Sequence, residues 1–393
     1  MASGAVREAG VGAQTEPTQR RRFSLFNIKT GIDITFLVLV LLLLSIGLVM
    51  LFSASYPNAL YHRGNSYVFI SNQLVFAVAG VVLMLMISTV NYKVLQKFAW
   101  PIMVVTIILL IVVFFFPPIN NARRWIQLPF FNIQPSEIAK FAVIALFAHM
   151  ATKDHHRMNT FKYGIAPFSV ILVLLAGLIV FQPHLSGTIL VLAIGAIMMI
   201  IGGANMKWFA FAALIGALAI AVLIMIPGVL DHAMVRLENW RDPFANPRTT
   251  GFQTIQSLFA IGSGGLMGVG IGNSRQKYLY LPEPQNDFIF SIVCEELGFI
   301  GATLIILLYA LLVWRGFVIG MRCRDRFGAL LAVGLTAQVG LQTVLNIMVV
   351  TNTIPNTGVS LPFFSYGGSS LVMLLCQMGV VLAISRHTAM EKI

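Results

Sequence analysis

Residues Arg275–Gly298 read RQKYLYLPEPQNDFIFSIVCEELG, and the way this stretch changes character decides the fold. A polar, doubly basic loop carrying Arg275 and Lys277 gives way at Asp287 to an apolar run of membrane length. Pro282 and Pro284 cannot sit inside a helix, and each biases its preceding residue towards extended backbone, so the helix must begin after them. Asp287 is therefore expected in the first helical turn, where the positive end of the dipole favours a carboxylate. The same position falls at the water–lipid boundary, within reach of a polar headgroup. Two readings stand side by side for the residue alone, a helix N-cap and a headgroup-facing acid.

Working outward, the composition supports a membrane setting. The chain is 58% hydrophobic and 10% charged with a mean hydropathy of +0.86, whereas soluble domains are about a quarter charged. Apolar runs long enough to cross a bilayer as helices recur throughout, which predicts an all-α polytopic membrane protein. Ten spans are expected near 34–53, 68–88, 98–116, 136–151, 164–181, 186–202, 207–226, 287–314, 328–350 and 367–385. The fourth and sixth are the shortest. Residues 1–30 read as a disordered basic cytoplasmic tail, 31–386 as the ten-helix membrane domain with a large external loop at 227–286, and 387–393 as a cytoplasmic C-terminal tail. The first apolar run is too long for a signal core and is expected to span. Three cysteines give no disulfide framework, and Cys294 and Cys376 lie inside apolar helices as packing residues.

Most Lys and Arg residues fall in segments that an inside N-terminus would place in the cytoplasm, which predicts both termini inside and Asp287 outside. The net charge of +12 is then mostly topology and attraction to anionic membrane lipids, with no need for nucleic acid. A minority needs another reason. Arg236, Arg241, Arg248, Arg275 and Lys277 gather in the external loop. They suit an anionic headgroup such as a lipid diphosphate, or else a solvated surface paired with Asp231, Glu238, Asp242 and Glu283.

Polar chemistry at membrane depth marks further stretches. Asn121–Ile126 and Ile133–Lys140 bracket the start of the fourth span. Glu137 and Lys140 share a helix face, and Lys140 lies about 6–8 Å into the helix. A lysine at that depth seeks a carboxylate or a polar cavity, and Glu295 and Glu296 are the expected partners, whether for catalysis or to fix helix register. His184 sits in a tight external turn, Phe181–Thr188, either as a group that titrates near neutral pH or, the commoner case for a lone histidine at a turn, as a structural donor. Gly262–Gly272 has glycine spacings like those of dinucleotide fingers but follows no strand, leaving a backbone cradle for phosphate. Ahead of it, Phe252, Ile255, Leu258 and Phe259 predict a short interfacial helix. The nearly uncharged loop Ile354–Ser370 reads as a re-entrant wall of the external site.

Together these stretches resemble the SEDS proteins of shape, elongation, division and sporulation, the FtsW/RodA/SpoVE family. The resemblance rests on Asn121–Ile126, Ile133–Lys140, Gln253–Gly272, Gln276–Gly298 and Pro355–Ser370 and covers almost all of the chain after the tail. One departure is the turn Pro183-His184-Leu185-Ser186-Gly187-Thr188, where the family usually has Pro-Asp-Leu-Gly-Thr. The wording Gly358–Pro362 looks more like division and sporulation members. The resemblance implies a glycosyltransferase that polymerises lipid II into glycan strands at the outer face of the bacterial cytoplasmic membrane, with Asp287 as the essential acid. It further implies Arg123, Trp125, Lys140, Arg275, Lys277 and Glu283 as substrate-binding residues. Glu137, Glu295, Glu296, Ser365 and Gly367 would support them. No tightly bound cofactor is expected, although a divalent cation (Mg or Mn) could take part. The implied partners are lipid II, undecaprenyl-diphosphate-linked glycan and a class B penicillin-binding protein that supplies transpeptidation. A lipid-linked precursor transporter or a non-catalytic division scaffold are the alternatives, and the gathering of polar signatures on one side favours the enzyme.

Overall fold

The computed structural model describes residues 31–118, 122–129, 132–210, 237–238, 240–247 and 251–390. The 1–30 tail, Asn121, Asp231, Arg236, Arg248, residues 391–393 and most of the seventh expected span lie outside the described residues. The described helices are α1 (Ile34–Arg63), α2 (Val68–Thr89), α3 (Lys93–Val112), α4 (Pro135–Lys153), α5 (Ala166–Val180), α6 (Leu185–Gly202), α7 (Phe252–Ser263), α8 (Ile289–Arg322), α9 (Arg326–Val350) and α10 (Gly368–Met390). A two-stranded hairpin, β1 (Ile126–Gln127) and β2 (Asn132–Ile133), precedes α4. Among the described residues eight helices are long and apolar enough to cross a membrane, which matches eight of the expected spans. The chain is a multi-pass membrane protein.

The fourth expected span is α4, too polar to qualify on hydropathy because Glu137 and Lys140 enter its first turns. It compensates by burial. Every residue from Ala139 to Ala148 is buried, with α3, α6 and α9 packed around it. Its alanines let neighbouring backbones approach closely, which supplies packing where lipid gives no hydrophobic drive. At the other end of the bundle Asp33 caps α1 by accepting from the Phe36 amide at 3.0 Å. The same carboxylate pairs with Arg315 of α8 at 2.8 Å.

Helix α8 is not continuous. Gly298 adopts φ 67 and ψ −170, breaking the helix after Glu296 and Leu297. A break at membrane depth frees backbone groups that must find partners inside the protein. The glycine-rich loop supplies them. Val269 and Gly270 donate their amides to the carbonyls of Glu295 and Glu296, both at 3.0 Å, while Phe299 and Ile300 donate to the Gly265 and Leu266 carbonyls at 2.9 and 3.2 Å. The expected phosphate cradle is therefore corrected: amides at the heart of Gly262–Gly272 are spent on mending α8. A Cβ at Gly268, which sits at φ 79, would meet the Glu296 carbonyl well inside contact distance. Gly268→Ala should cost about 1–3 kcal/mol through overpacking alone, whereas Gly262→Ala, with open space around it, should be silent. Thermal unfolding of the two variants in detergent checks this, and equal melting temperatures would remove the splice from the account.

The expected interfacial helix α7 docks on the bundle more firmly than amphipathic spacing implies. Ser257 Oγ donates to the Val350 carbonyl at 2.8 Å and lies 2.8 Å from Ser291 Oγ of α8. Ile255 is buried, and Phe259 is left exposed. The cysteines are free, as expected.

Candidate functional site

A cavity of about 630 Å³ opens between the β1–β2 hairpin, the first turns of α4 and α6, the stretch before α8, and the loop from α9 to α10. Antiparallel pairing of Ile126 with Ile133 and of Gln127 with Asn132 fixes the hairpin. Arg124 and Trp125 therefore stand just before it and Gln134 just after, all three on the cavity wall. Arg124 is steered by carbonyls of the α5–α6 turn, its Nε reaching Gln182 O at 3.4 Å and its Nη2 reaching Pro183 O. Pro135 occupies the first turn of α4, where its missing amide costs nothing.

Lys140 is 2% exposed and points into this cavity. Its Nζ pairs with Glu137 Oε2 at 2.7 Å, one helical turn back, and donates to Gln342 Oε1 of α9 at 3.3 Å. The expected pairing of Lys140 with Glu295 or Glu296 is thus corrected. Those glutamates are taken by other partners: Glu296 by Ser53 of α1 and Lys277, and Glu295 by Ser274 and the Arg275 amide of the loop ahead of α8. Gln342 in turn donates to Ser360 at 3.1 and 3.2 Å, which carries the polar contact across to the α9–α10 loop.

Asp287 lines the cavity and is partly exposed to it. The capping expectation fails here: α8 begins at Ile289, its N-cap is Phe288, and no side chain caps it. What holds Asp287 is its backbone. Asn346 Nδ2 donates to the Asp287 carbonyl at 2.7 Å and to the Val359 carbonyl at 2.6 Å, tying both walls to α9. Ser365 Oγ accepts from the Leu361 amide and donates to the Asn286 carbonyl, both at 2.7 Å, and the Tyr366 amide donates to Gln285 O at 2.9 Å. Among the described residues nothing hydrogen-bonds to the Asp287 carboxylate. Gly358 packs against it at φ 70, and a Cβ there would stand 3.1 Å from Oδ2. Burial raises the Asp287 pKa from 3.8 to about 6, with the Glu283 charge adding to the rise and Arg124 opposing it.

His184 lines the same cavity and is 8% exposed. Burial, then the nearby charges of Arg124 and Lys140, push its pKa down to about 3. That shift favours a neutral imidazole over the alternative of titration near neutral pH.

Of the remaining sequence candidates, all but Gly367 are placed off the cavity wall. Arg123 is exposed and donates to the Phe114 carbonyl at 2.9 Å, so the neighbouring Arg124 is the arginine on the cavity. Glu283 is exposed and accepts from Asn286 Nδ2 at 2.6 Å. Arg275 is also exposed, its amide spent on Glu295 Oε1 at 2.8 Å. Lys277 is 0% exposed and pairs with Glu296 at 2.7 Å, which makes it a structural cation. Gly367 lines the cavity, and its amide donates to Gln73 Oε1 at 3.2 Å. Sequence reasoning missed Arg124, His184 and Gln342 as cavity residues. The signal for Gln342 was there: a glutamine in the middle of an apolar span.

Among the described residues no cluster of three or more His, Cys, Asp or Glu side chains could hold a metal by itself. One unpaired carboxylate, Asp287, faces the cavity, and a hard cation that takes most of its oxygens from phosphate and water fits such a site.

Fold and site together define a multi-pass membrane protein with a polar cavity at one end of its helices, combining a free carboxylate with two cations. Residues 34–390 match the FtsW/RodA/SpoVE cell cycle protein family. The chain belongs to that family. It is 40% identical to the stage V sporulation protein E of Bacillus subtilis, over 92% of this chain and 98% of that protein. It is 36% identical to the probable peptidoglycan glycosyltransferase FtsW of Trichlorobacter lovleyi, over 90% and 93%. Among solved structures, a chain from a peptidoglycan synthase complex that coordinates polymerization and crosslinking superposes with a TM-score of 0.75 at 28% identity, covering 91% of this chain and 98% of that one. The rod shape determining protein RodA of Thermus thermophilus gives 0.66 at 26% identity, covering 91% and 97%.

Proposed function

We propose that this chain is a peptidoglycan glycosyltransferase that polymerises lipid II into glycan strands at the outer face of the cytoplasmic membrane, with Asp287 as general base. The observation that carries the reading is an unpaired carboxylate, poised near pH 6, in the same cavity as Arg124 and Lys140. In the reaction a new bond forms between the 4-hydroxyl oxygen of the acceptor sugar and the anomeric carbon of the donor. The bond from that carbon to the lipid diphosphate breaks, and the hydroxyl proton passes to Asp287. A base with a pKa near the working pH suits such a transfer. Negative charge builds on the departing diphosphate, and Arg124 and Lys140 are placed to offset it. A divalent cation, if one binds, would supply further charge on the diphosphate, held mostly by phosphate and water oxygens, which leaves the Asp287 carboxylate to take the proton.

Similarity to the sporulation protein and to FtsW proteins supports a role in division or sporulation. Likeness to a chain of a complex that joins polymerization to crosslinking supports a transpeptidase partner, a class B penicillin-binding protein. The distribution of Lys and Arg supports both termini inside and the 227–286 loop outside. The test is a polymerisation assay with purified protein and lipid II, run with and without a penicillin-binding partner. Long glycan, greater in amount with the partner, is expected. Movement of lipid II across proteoliposome membranes with no polymer formed would sink the enzyme reading in favour of transport.

A further inference from the structure

His184 does not fit the capping geometry its place suggests. It is the N-cap of α6, yet its ring makes no capping bond, and Nδ1 is buried with no hydrogen-bond partner in the protein. That nitrogen lies against the first turn of α6, so close that a Cβ on Gly187 would meet it at 2.6 Å. The positive end of a helix dipole favours a lone pair over an N–H, so the single proton of a neutral imidazole belongs on the other nitrogen. His184 lines the cavity, and Nε2 is the ring nitrogen left to carry a donor there. Arg124 and Lys140, the two cations of that cavity, stand near enough to suppress protonation of His184. A donor grouped with two cations forms a wall suited to an anion.

We infer that His184 is a substrate-binding residue whose Nε2–H donates to a phosphoryl oxygen of a polyprenyl diphosphate, alongside Arg124 and Lys140. The assignment rests on the polymerase reading for its substrate class, and on this chain's own turn for its residue. Asp287 then takes the sugar end of the cavity and the His184–Arg124–Lys140 wall takes the diphosphate end. Gly187 is part of the arrangement, because any side chain there would push the imidazole from its seat.

Direct binding to the purified full chain tests this without relying on turnover. The probes are undecaprenyl diphosphate and undecaprenol, which share a tail and differ in the head. Wild type is expected to bind the diphosphate more tightly than the alcohol. His184→Phe keeps a ring but no donor, and should weaken diphosphate binding about tenfold or more, the scale of one hydrogen bond to a charged group, while leaving undecaprenol unchanged. His184→Gln places an N–H near the Nε2 position and should recover much of the loss. Gly187→Ala should reproduce the selective loss with His184 still present, which keeps the test alive if the phenylalanine variant does not fold. Undiminished diphosphate binding by a folded His184→Phe protein overturns the assignment, as does equal loss for both lipids or a wild type that does not tell them apart. A chain that fails to polymerise lipid II but shows this discrimination loses the polymerase reading and keeps the His184 site.

Discussion

Glu296→Ala is expected to destabilise the protein by about 3–5 kcal/mol, because it strands a buried charge. Lys277 and Glu296 are both without exposed side-chain surface, and their Nζ–Oε1 distance is 2.7 Å. Ser53 of α1 donates to both Glu296 oxygens at 2.7 Å and accepts from Lys277 at 3.2 Å, so the ion pair locks the loop to α1 and α8 at once. The Lys277 ammonium also lies 4.9 Å from the centre of the Tyr56 ring. Removing the carboxylate leaves that ammonium with a hydroxyl and an aromatic face, far short of what water would provide. Replacing both members, as in Glu296→Met with Lys277→Met, removes the stranded charge and should recover much of the loss. Thermal unfolding in detergent decides: a single variant within about 1 kcal/mol of wild type, or a double variant as poor as the sum of the singles, contradicts the pairing. The consequence reaches the site, since the pinned segment runs straight on through Leu281 to Asp287.

The same pair shows what was legible in the sequence and what was not. Eight spans could be read because bilayer thickness imposes a length and an apolarity that need no knowledge of neighbours. Burial could also be read: Lys140, Glu295 and Glu296 were expected to need partners inside the bundle, and all three are buried and paired. Azimuth could not. Which carboxylate meets which cation depends on how each helix is rotated, and on a loop that returns between α1 and α8. Thus Lys140 took Glu137 on its own helix and Lys277 took Glu296. The break at Gly298 was hidden for a related reason. Glu295-Glu296-Leu297-Gly298 continues an apolar run without a proline, and only the glycines thirty residues earlier hinted that something must approach closely. Boundary precision decided the capping question. Helix starts read from sequence are uncertain by a residue or two, and one such shift moves Asp287 out of the first turn and onto the cavity wall. Arg123 and Arg124 differ by a single residue in extended chain, where successive side chains point to opposite faces, so naming the right arginine required the hairpin register.

Asp287→Asn is expected to lower lipid II polymerisation by about two to four powers of ten, the usual contribution of a general base, while leaving the fold intact. Nothing in the scaffold depends on the charge: the carboxylate caps no helix, and Asn346 holds the residue through its main-chain carbonyl. Stability should move the other way. The folded protein binds the Asp287 proton more tightly than the unfolded chain, with a pKa of about 6 against 3.8. Ionisation of Asp287 therefore withdraws stability as pH rises from 3.8 to about 6, and the whole cost is present above that. Asparagine carries no charge to desolvate, so Asp287→Asn should melt no lower than wild type at pH 7. The wild-type rate should fall as pH drops through about 6, as the base becomes protonated. A capping or purely structural aspartate predicts the reverse pattern, with lower melting on substitution and no acid limb at that pH. Wild-type polymer yield from a folded Asp287→Asn protein would return this residue to the scaffold. An inactive variant that melts at or above wild type would mark it as a carboxylate kept at the expense of stability for the proton it takes.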